Sequence, residues 1–163
     1  NAPLDVMIIR KIGMPGHKEY AIGAIATGQI AVFNQEMIKL QHISAREIQK
    51  VVNEEKLELS RRELEYRDHH PFPDIQQKRV ILVDDGIATG FSLKAAIAAL
   101  QLKRPKEIII AVPVGSQDAI DELESLCFRV ICPLIPEHFN SVGEWYNHFN
   151  QVDDSDVIKY LKK

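Results

Sequence analysis

Asp84 and Asp85 stand side by side where an apolar run stops, in the stretch VILVDDGIATGFS from Val80 to Ser92. Two carboxylates about 4 Å apart repel by roughly 4 kcal/mol at an effective dielectric of about 20, so the pair needs hydroxyl donors, a cation, or both. The residues just beyond the acids have the opposite chemistry. Gly86 and Gly90 permit tight turns, and Thr89 and Ser92 carry hydroxyls. Several backbone N–H groups and the positive end of a helix beginning near Ser92 complete a cradle for an anion. A molecule with vicinal hydroxyls for the acids and a phosphate for the loop satisfies both halves; a ribose 5-phosphate has both.

The elements around this stretch explain how it is held. RVILV, before the acids, reads as a strand, and SLKAAIAALQLK, after the loop, as an amphipathic helix. EIIIAVPV is a second strand, SQDAIDELESLC a helix starting on Ser116, and RVICPLI a last strand. Strands alternating with helices of about a dozen residues predict crossover units and a parallel sheet. In open sheets of this kind ligands sit beyond the carboxyl ends of strands, which is where the acid pair falls.

The first half is less regular. DVMIIR suits a buried strand, and AIGAIATGQIAVFN two strands joined at Thr27-Gly28. Ser44 and Glu47 form a capping box that opens a long charged helix, with Ile48, Val52, Leu59 and Tyr66 on one face and Glu55 and Arg62 interrupting it. DHHPFPD ends that helix. The helix over 44–67 reads as a solvated flank, with a homodimer arm as the second reading. The boundary near 68–74 separates halves of one domain spanning 1–163 rather than two domains.

The chain has 163 residues, 45% hydrophobic and 26% charged, with a net charge of -3. That is one domain's worth of chain with enough apolar residues for a core. The mildly acidic balance gives no support for nucleic-acid or membrane-surface binding. No apolar run approaches the roughly 20 residues of a bilayer span, and Arg10 and Lys11 follow the N-terminal apolar run rather than precede it, unlike a signal peptide. A cytoplasmic protein is expected. Cys127 and Cys132 read as reduced thiols, too few and wrongly spaced for a zinc knuckle.

ILVDDGIATGFS resembles the phosphoribosyl-pyrophosphate motif of type I phosphoribosyltransferases, in which a strand leads to two acids and then to a Thr-Gly-x-Thr/Ser phosphate loop. From APLDV through VGEWY the chain is most similar to a subgroup of that family whose substrate is unassigned. The resemblance implies a three-layer, doubly wound, mostly parallel α/β sheet with a small C-terminal hood around 133–150. It implies that Asp84 and Asp85 take the ribose hydroxyls, with Mg²⁺ nearby through ligand or water. It implies that Ala88, Thr89, Gly90, Phe91 and Ser92 take the 5′-phosphate, while Gly86 and Ile87 shape the turn. IIRKIGMPGHKEYAIGAIA resembles a strand and mobile loop of the family, so Arg10 and Lys11 are assigned to pyrophosphate, and closure of the 12–20 loop excludes water. Phe139 and Val142 are assigned to the base through the hood. Asp84, Asp85 and Lys11 are the catalytic candidates.

Two departures qualify the likeness. Ala88 replaces an acid that handles the base's proton in hypoxanthine-guanine members, which counts against a 6-oxopurine. The family's opening strand and helix, with a Pro-Arg-Gly-Gly pyrophosphate loop, has no counterpart in these residues. The chain is then a piece of a longer protein, or its pyrophosphate site lacks one half.

The expected activity is a pentosyl transfer. Phosphoribosyl pyrophosphate gives its phosphoribosyl group to a nitrogen acceptor, a nucleobase-like molecule, and pyrophosphate leaves. The second reading is a non-catalytic phosphoribosyl or nucleotide sensor of the same fold. Receiver domains also begin with an apolar strand and paired acids, but VPVGS and PLIPE hold no phosphoacceptor Asp or following Lys; haloacid-type phosphatases need an acid where Gly86 stands. Neither G-x-G-x-x-G nor a Walker Lys occurs. Phe139, Trp145, Tyr146 and Phe149 read as a packed satellite cluster or as a base-stacking hood, and His69, His70, His138 and His148 as structural or solvated.

Overall fold

Hairpin signals in the first part of the chain produce an antiparallel sheet. In the computed structural model, which describes residues 2–68 and 70–161, strand β1 is Ile9–Met14, β2 is His17–Ala26 and β3 is Ile30–Phe33. His69 lies outside the described residues. β2 pairs with both neighbours antiparallel, and the turn after Thr27 has Gly28 at φ 84°. The 12–20 segment, expected as a mobile loop, forms a hairpin: β1 turns at Pro15-Gly16 directly into β2, with Gly16 at φ 82°. Gly16 is needed there because an L side chain is strained at such a φ.

A short helix, α1 (Gln35–Leu40), follows with Asn34 capping it. The capping box then starts α2 (Ala45–Arg67) as predicted: Ser44 Oγ accepts the Glu47 amide, and the Glu47 carboxylate accepts the Ser44 amide. Asp68 in the left-handed conformation ends the helix, ahead of the constraint that Pro71 places on the chain. Val52 and Leu59 of α2 bury against Ile8, Ile12, Ile22 and Ile25. Glu55, which interrupts that apolar face, accepts from Arg10 Nε at 2.7 Å. An eight-residue helix, α5 (Asp154–Leu161), joins this unit through Asp154, which accepts from the Tyr66 hydroxyl (2.5 Å) and from Arg61 (3.3 Å). The described residues of 1–73 and 152–163 make one compact unit and 74–151 another.

The second unit is the expected strand–helix alternation. β4 (Arg79–Val83), α3 (Phe91–Gln101), β5 (Glu107–Ala111), α4 (Gln117–Glu124) and β6 (Arg129–Ile131) follow in order. The strands form a parallel sheet, β4-β5-β6, in the register Val80↔Ile108, Leu82↔Ile110 and Ile110↔Val130. Leu82, Ile108 and Ile110 are buried on one face, and α3 and α4 contribute Leu93, Ile97, Leu100, Ile120 and Leu123 to the same core. On the other face Ile81 is 59% and Val83 72% exposed, while Ile109 and Ala111 of β5 are half-buried. Parallel sheets are ordinarily covered on both faces. β4 is also an edge strand, and among the described residues no strand pairs with its outer side.

Cys127 and Cys132 are both free, and burial pushes both thiols above their usual range. No helix among the described residues is long and apolar enough to cross a membrane.

Candidate functional site at the carboxyl end of β4

β4 ends at Val83, so the acid pair opens the connection to α3 at the carboxyl edge of the sheet. Asp84 is half-buried and Asp85 exposed. The Asp84 carboxylate accepts the Asp85 amide at 3.0 Å, and among the described residues neither acid has a cationic partner. Burial, and secondarily the Asp85 charge, push the Asp84 carboxyl above the ordinary aspartate range, while the Asp85 amide pulls it down. A desolvated carboxylate beside a second negative charge is a group whose natural partners are hydroxyls or a cation.

The loop is laced to the end of β5. The Ile87 amide donates to the Val114 carbonyl (2.9 Å), and the Ser116 amide donates to the Ile87 carbonyl (2.9 Å). Ile87 is buried, whereas Ala88 and Thr89 at the turn's crest are exposed. Gly90, at φ 70°, is the N-cap of α3, and no side chain caps that helix. Asn34 caps α1 and Ser44 caps α2, whereas α3, like α4, keeps its first amides without a side-chain acceptor, as an anion site requires. Among the described residues the hydroxyls of Thr89 and Ser92 likewise have no protein partner. Phe91 is half-buried, with Lys94 Nζ 5.0 Å from the centre of its ring.

A 3-10 turn, Val142–Trp145, lies against the same loop. Val142 packs on Gly86 so closely that a Cβ there would fall 2.7 Å from one Val142 methyl and 3.0 Å from the Val114 carbonyl oxygen. The Tyr146 hydroxyl donates to the Asp85 carbonyl at 2.6 Å, and its ring meets Phe149 at 5.3 Å between centroids. Burial, followed by the charges of Asp85 and Asp84, raises the Tyr146 pKa. Phe139 is half-buried, and Trp145 is exposed.

The structure thus brings together Asp84, Asp85, Gly86, Ile87, Ala88, Thr89, Gly90, Phe91, Ser92 and Val142 within the second unit. Arg10 and Lys11 belong to β1 of the first unit. Strand alternation points them to opposite faces: Arg10 reaches α2 and pairs with Glu55, while Lys11 is exposed and has no carboxylate partner among the described residues. Sequence reasoning did not single out Ser116 and Tyr146 as groups serving the loop. The N-cap position of Ser116 was visible, but nothing local marks where its hydroxyl or that of Tyr146 goes. Among the described residues no cluster of three or more His, Cys, Asp or Glu is placed to hold a metal. The two carboxylates are hard oxygen donors, a set that suits a magnesium ion retaining water and phosphate ligands.

Fold and site together define an α/β protein with an acid pair and an anion loop at the rim of a parallel sheet. The chain belongs to the phosphoribosyl transferase domain family, whose pattern matches residues 10–147. A Mycobacterium tuberculosis protein named "Putative phosphoribosyl transferase", represented in two strains, is 32% identical over 162 residues, which is 99% of this chain and 37% of the relative. The chain therefore spans little more than a third of the curated relatives it matches. A crystal structure of TT1426 from Thermus thermophilus is similar with a TM-score of 0.76 and 33% identity, covering 98% of this chain and 75% of that one.

Proposed function

We propose that the 84–92 loop binds the phosphoribosyl group of phosphoribosyl pyrophosphate, and that the protein transfers this group to a nitrogen nucleophile of the nucleobase class. The observation that carries this reading is the uncapped start of α3 directly after an acid pair that has no cationic partner among the described residues. One ligand with a diol and a phosphate uses both features.

In such a transfer the bond from the anomeric carbon to pyrophosphate lengthens early and leaves positive charge on the sugar ring, so positioning and charge stabilisation dominate. Asp84 and Asp85 orient the ribose through its hydroxyls and favour the cationic ring. The Ala88–Ser92 amides and the Thr89 and Ser92 hydroxyls fix the 5′-phosphate. Magnesium, reached by the acids through ligand or water, would supply charge neutralisation for the departing pyrophosphate. Lys11 is the exposed cation assigned to that leaving group; Arg10, already engaged with Glu55, contributes less. Phe139 and Val142 remain the candidates for the base, and the two units are read as parts of one phosphoribosyltransferase-like domain.

Calorimetry with phosphoribosyl pyrophosphate and Mg²⁺ tests this directly: saturable binding is expected, and heat-silent titration with unchanged melting temperature would reject it. Thr89→Val should weaken ribose 5-phosphate binding by about 1.5–3 kcal/mol, the worth of a hydrogen bond to a charged group. Unchanged affinity would remove Thr89 from the cradle. Lys11→Ala should weaken phosphoribosyl pyrophosphate roughly tenfold and leave ribose 5-phosphate untouched, since only the former carries the group assigned to it. Equal losses for both ligands would dissociate Lys11 from pyrophosphate. Incubating the longest natural chain with candidate bases and assaying nucleotide formation identifies the acceptor; binding without turnover favours the sensor.

A further inference from the structure

The turn between Asp85 and Thr89 is shaped by groups remote in sequence. Three of its carbonyls are taken. The Asp85 carbonyl accepts from Tyr146 Oη at 2.6 Å, the Ile87 carbonyl from the Ser116 amide at 2.9 Å, and the Ala88 carbonyl from Ser116 Oγ at 2.8 Å. A trans peptide is planar, with its C=O and the next residue's N–H pointing in opposite directions. Holding the Ile87 and Ala88 carbonyls on the Ser116 side therefore turns the Ala88 and Thr89 amides to the other side. Holding the Asp85 carbonyl does the same for the Gly86 amide.

Ser116 is well suited to this because it stands at the start of α4 yet does not cap it. Its side chain makes no hydrogen bond to its own helix, unlike Asn34 and Ser44. An N-cap serine ordinarily uses its oxygen on the amide two or three residues ahead; here its hydroxyl hydrogen is spent on the loop. Tyr146 is comparable at the other end. The Asp85 amide already donates to Asp84, so Tyr146 fixes the next peptide while the Asp85 carboxylate, which accepts no hydrogen bond from the described residues, stays available.

We propose that Ser116 and Tyr146 are positioning residues for the phosphoribosyl site: the Ser116 hydroxyl holds the Ala88 carbonyl back so that the Thr89 amide faces the phosphate, and the Tyr146 hydroxyl holds the Asp85 carbonyl back so that the Asp85 carboxylate faces the diol. This rests on the proposed phosphoribosyl binding at the 84–92 loop. Neither residue touches the ligand; each acts through a peptide.

The test pairs a ligand-free readout with a binding one. In ¹⁵N-labelled protein, Ser116→Ala shifts the Thr89 amide resonance before any ligand is added, while the Ile87 carbonyl keeps the backbone amide of residue 116. The substitution weakens ribose 5-phosphate three- to tenfold, and Ser116→Thr, which keeps a hydroxyl, restores both signals. Tyr146→Phe, which keeps the ring against Phe149, shifts the Gly86 amide and lowers affinity by a similar factor. Melting temperatures within a few degrees of wild type separate these effects from unfolding. Unchanged amide resonances and unchanged affinity in Ser116→Ala and Tyr146→Phe, with wild type binding normally, overturn the inference alone. Wild-type protein that ignores ribose 5-phosphate overturns the functional reading and takes this inference with it.

Discussion

Asp85→Asn is expected to weaken phosphoribosyl pyrophosphate binding by about 1.5–3 kcal/mol, roughly ten- to a hundredfold, because the carboxylate proposed to accept a ribose hydroxyl becomes a neutral amide. Asp85 is exposed and its side chain pairs with no donor among the described residues, so thermal stability should barely move. Asp84→Asn should lose a similar amount of affinity and gain stability at neutral pH. The reason is linkage. Burial and the Asp85 charge raise the Asp84 pKa in the folded state, so the native protein holds that proton more tightly than the unfolded chain. Between the unfolded value near 3.8 and the raised native value, stability therefore falls as pH rises, and above both the ionised group is a net cost. Asn removes that cost and keeps an oxygen for the Asp85 amide. Ligand affinity has the opposite pH slope: it falls on acidification, beginning above the ordinary aspartate range. Calorimetry from pH 7 to pH 4, with melting temperatures for both variants, checks each sign. An Asp84→Asn protein that melts lower and binds as tightly as wild type would remove the acid from the site.

Gly86→Ala is the second large effect. Its Cβ would lie 2.7 and 2.8 Å from the two Val142 methyls and 3.0 Å from the Val114 carbonyl. Val142 is short and β-branched and cannot swing a distant end away, and the Val114 carbonyl is held by the Ile87 amide. Either the 142–145 turn or the acid-bearing loop must move. The expected cost is about 1–3 kcal/mol of stability, as for overpacking elsewhere, with about a tenfold loss of ribose 5-phosphate affinity if the Asp85 peptide shifts with it. Adding Val142→Ala clears the methyls and should recover most of the stability, leaving only the carbonyl contact. Chemical denaturation of the single and double variants measures this; additive losses would show that the two residues do not share the space.

The parts of the molecule that were legible are those set by neighbours in sequence. Ser44 and Glu47 announce the start of α2, and each uses the other as the spacing implies. RVILV, the acids and the glycines give β4, the loop and α3 in order because strand, turn and helix signals there agree. Long-range partners were not legible. Glu55 looks like a flaw in an apolar stripe until Arg10, 45 residues away, fills the gap. The helix α5 is short, and it is secured by Tyr66 and Arg61 donating to Asp154 from far along the chain. The 12–20 segment resembles a mobile loop of the family, yet Pro15-Gly16 is a tight turn that lets β1 and β2 pair, with a shift in their register at Gly13. Tyr146 and Ser116 donate to loop carbonyls from 61 and 28 residues away, beyond any spacing rule.

One flank of β4 has a bearing on the acids themselves. With its outer edge unpaired among the described residues and Ile81 and Val83 bare, β4 is the natural place for a further strand to add. Such a strand, running parallel, would lie about 4.8 Å away and finish level with Asp84. A chain that sealed that margin would remove water from beside the end of β4, next to Asp84. Assembly of the sheet and proton binding by Asp84, which burial already favours, would then be coupled, readable as a change in proton uptake when the margin closes.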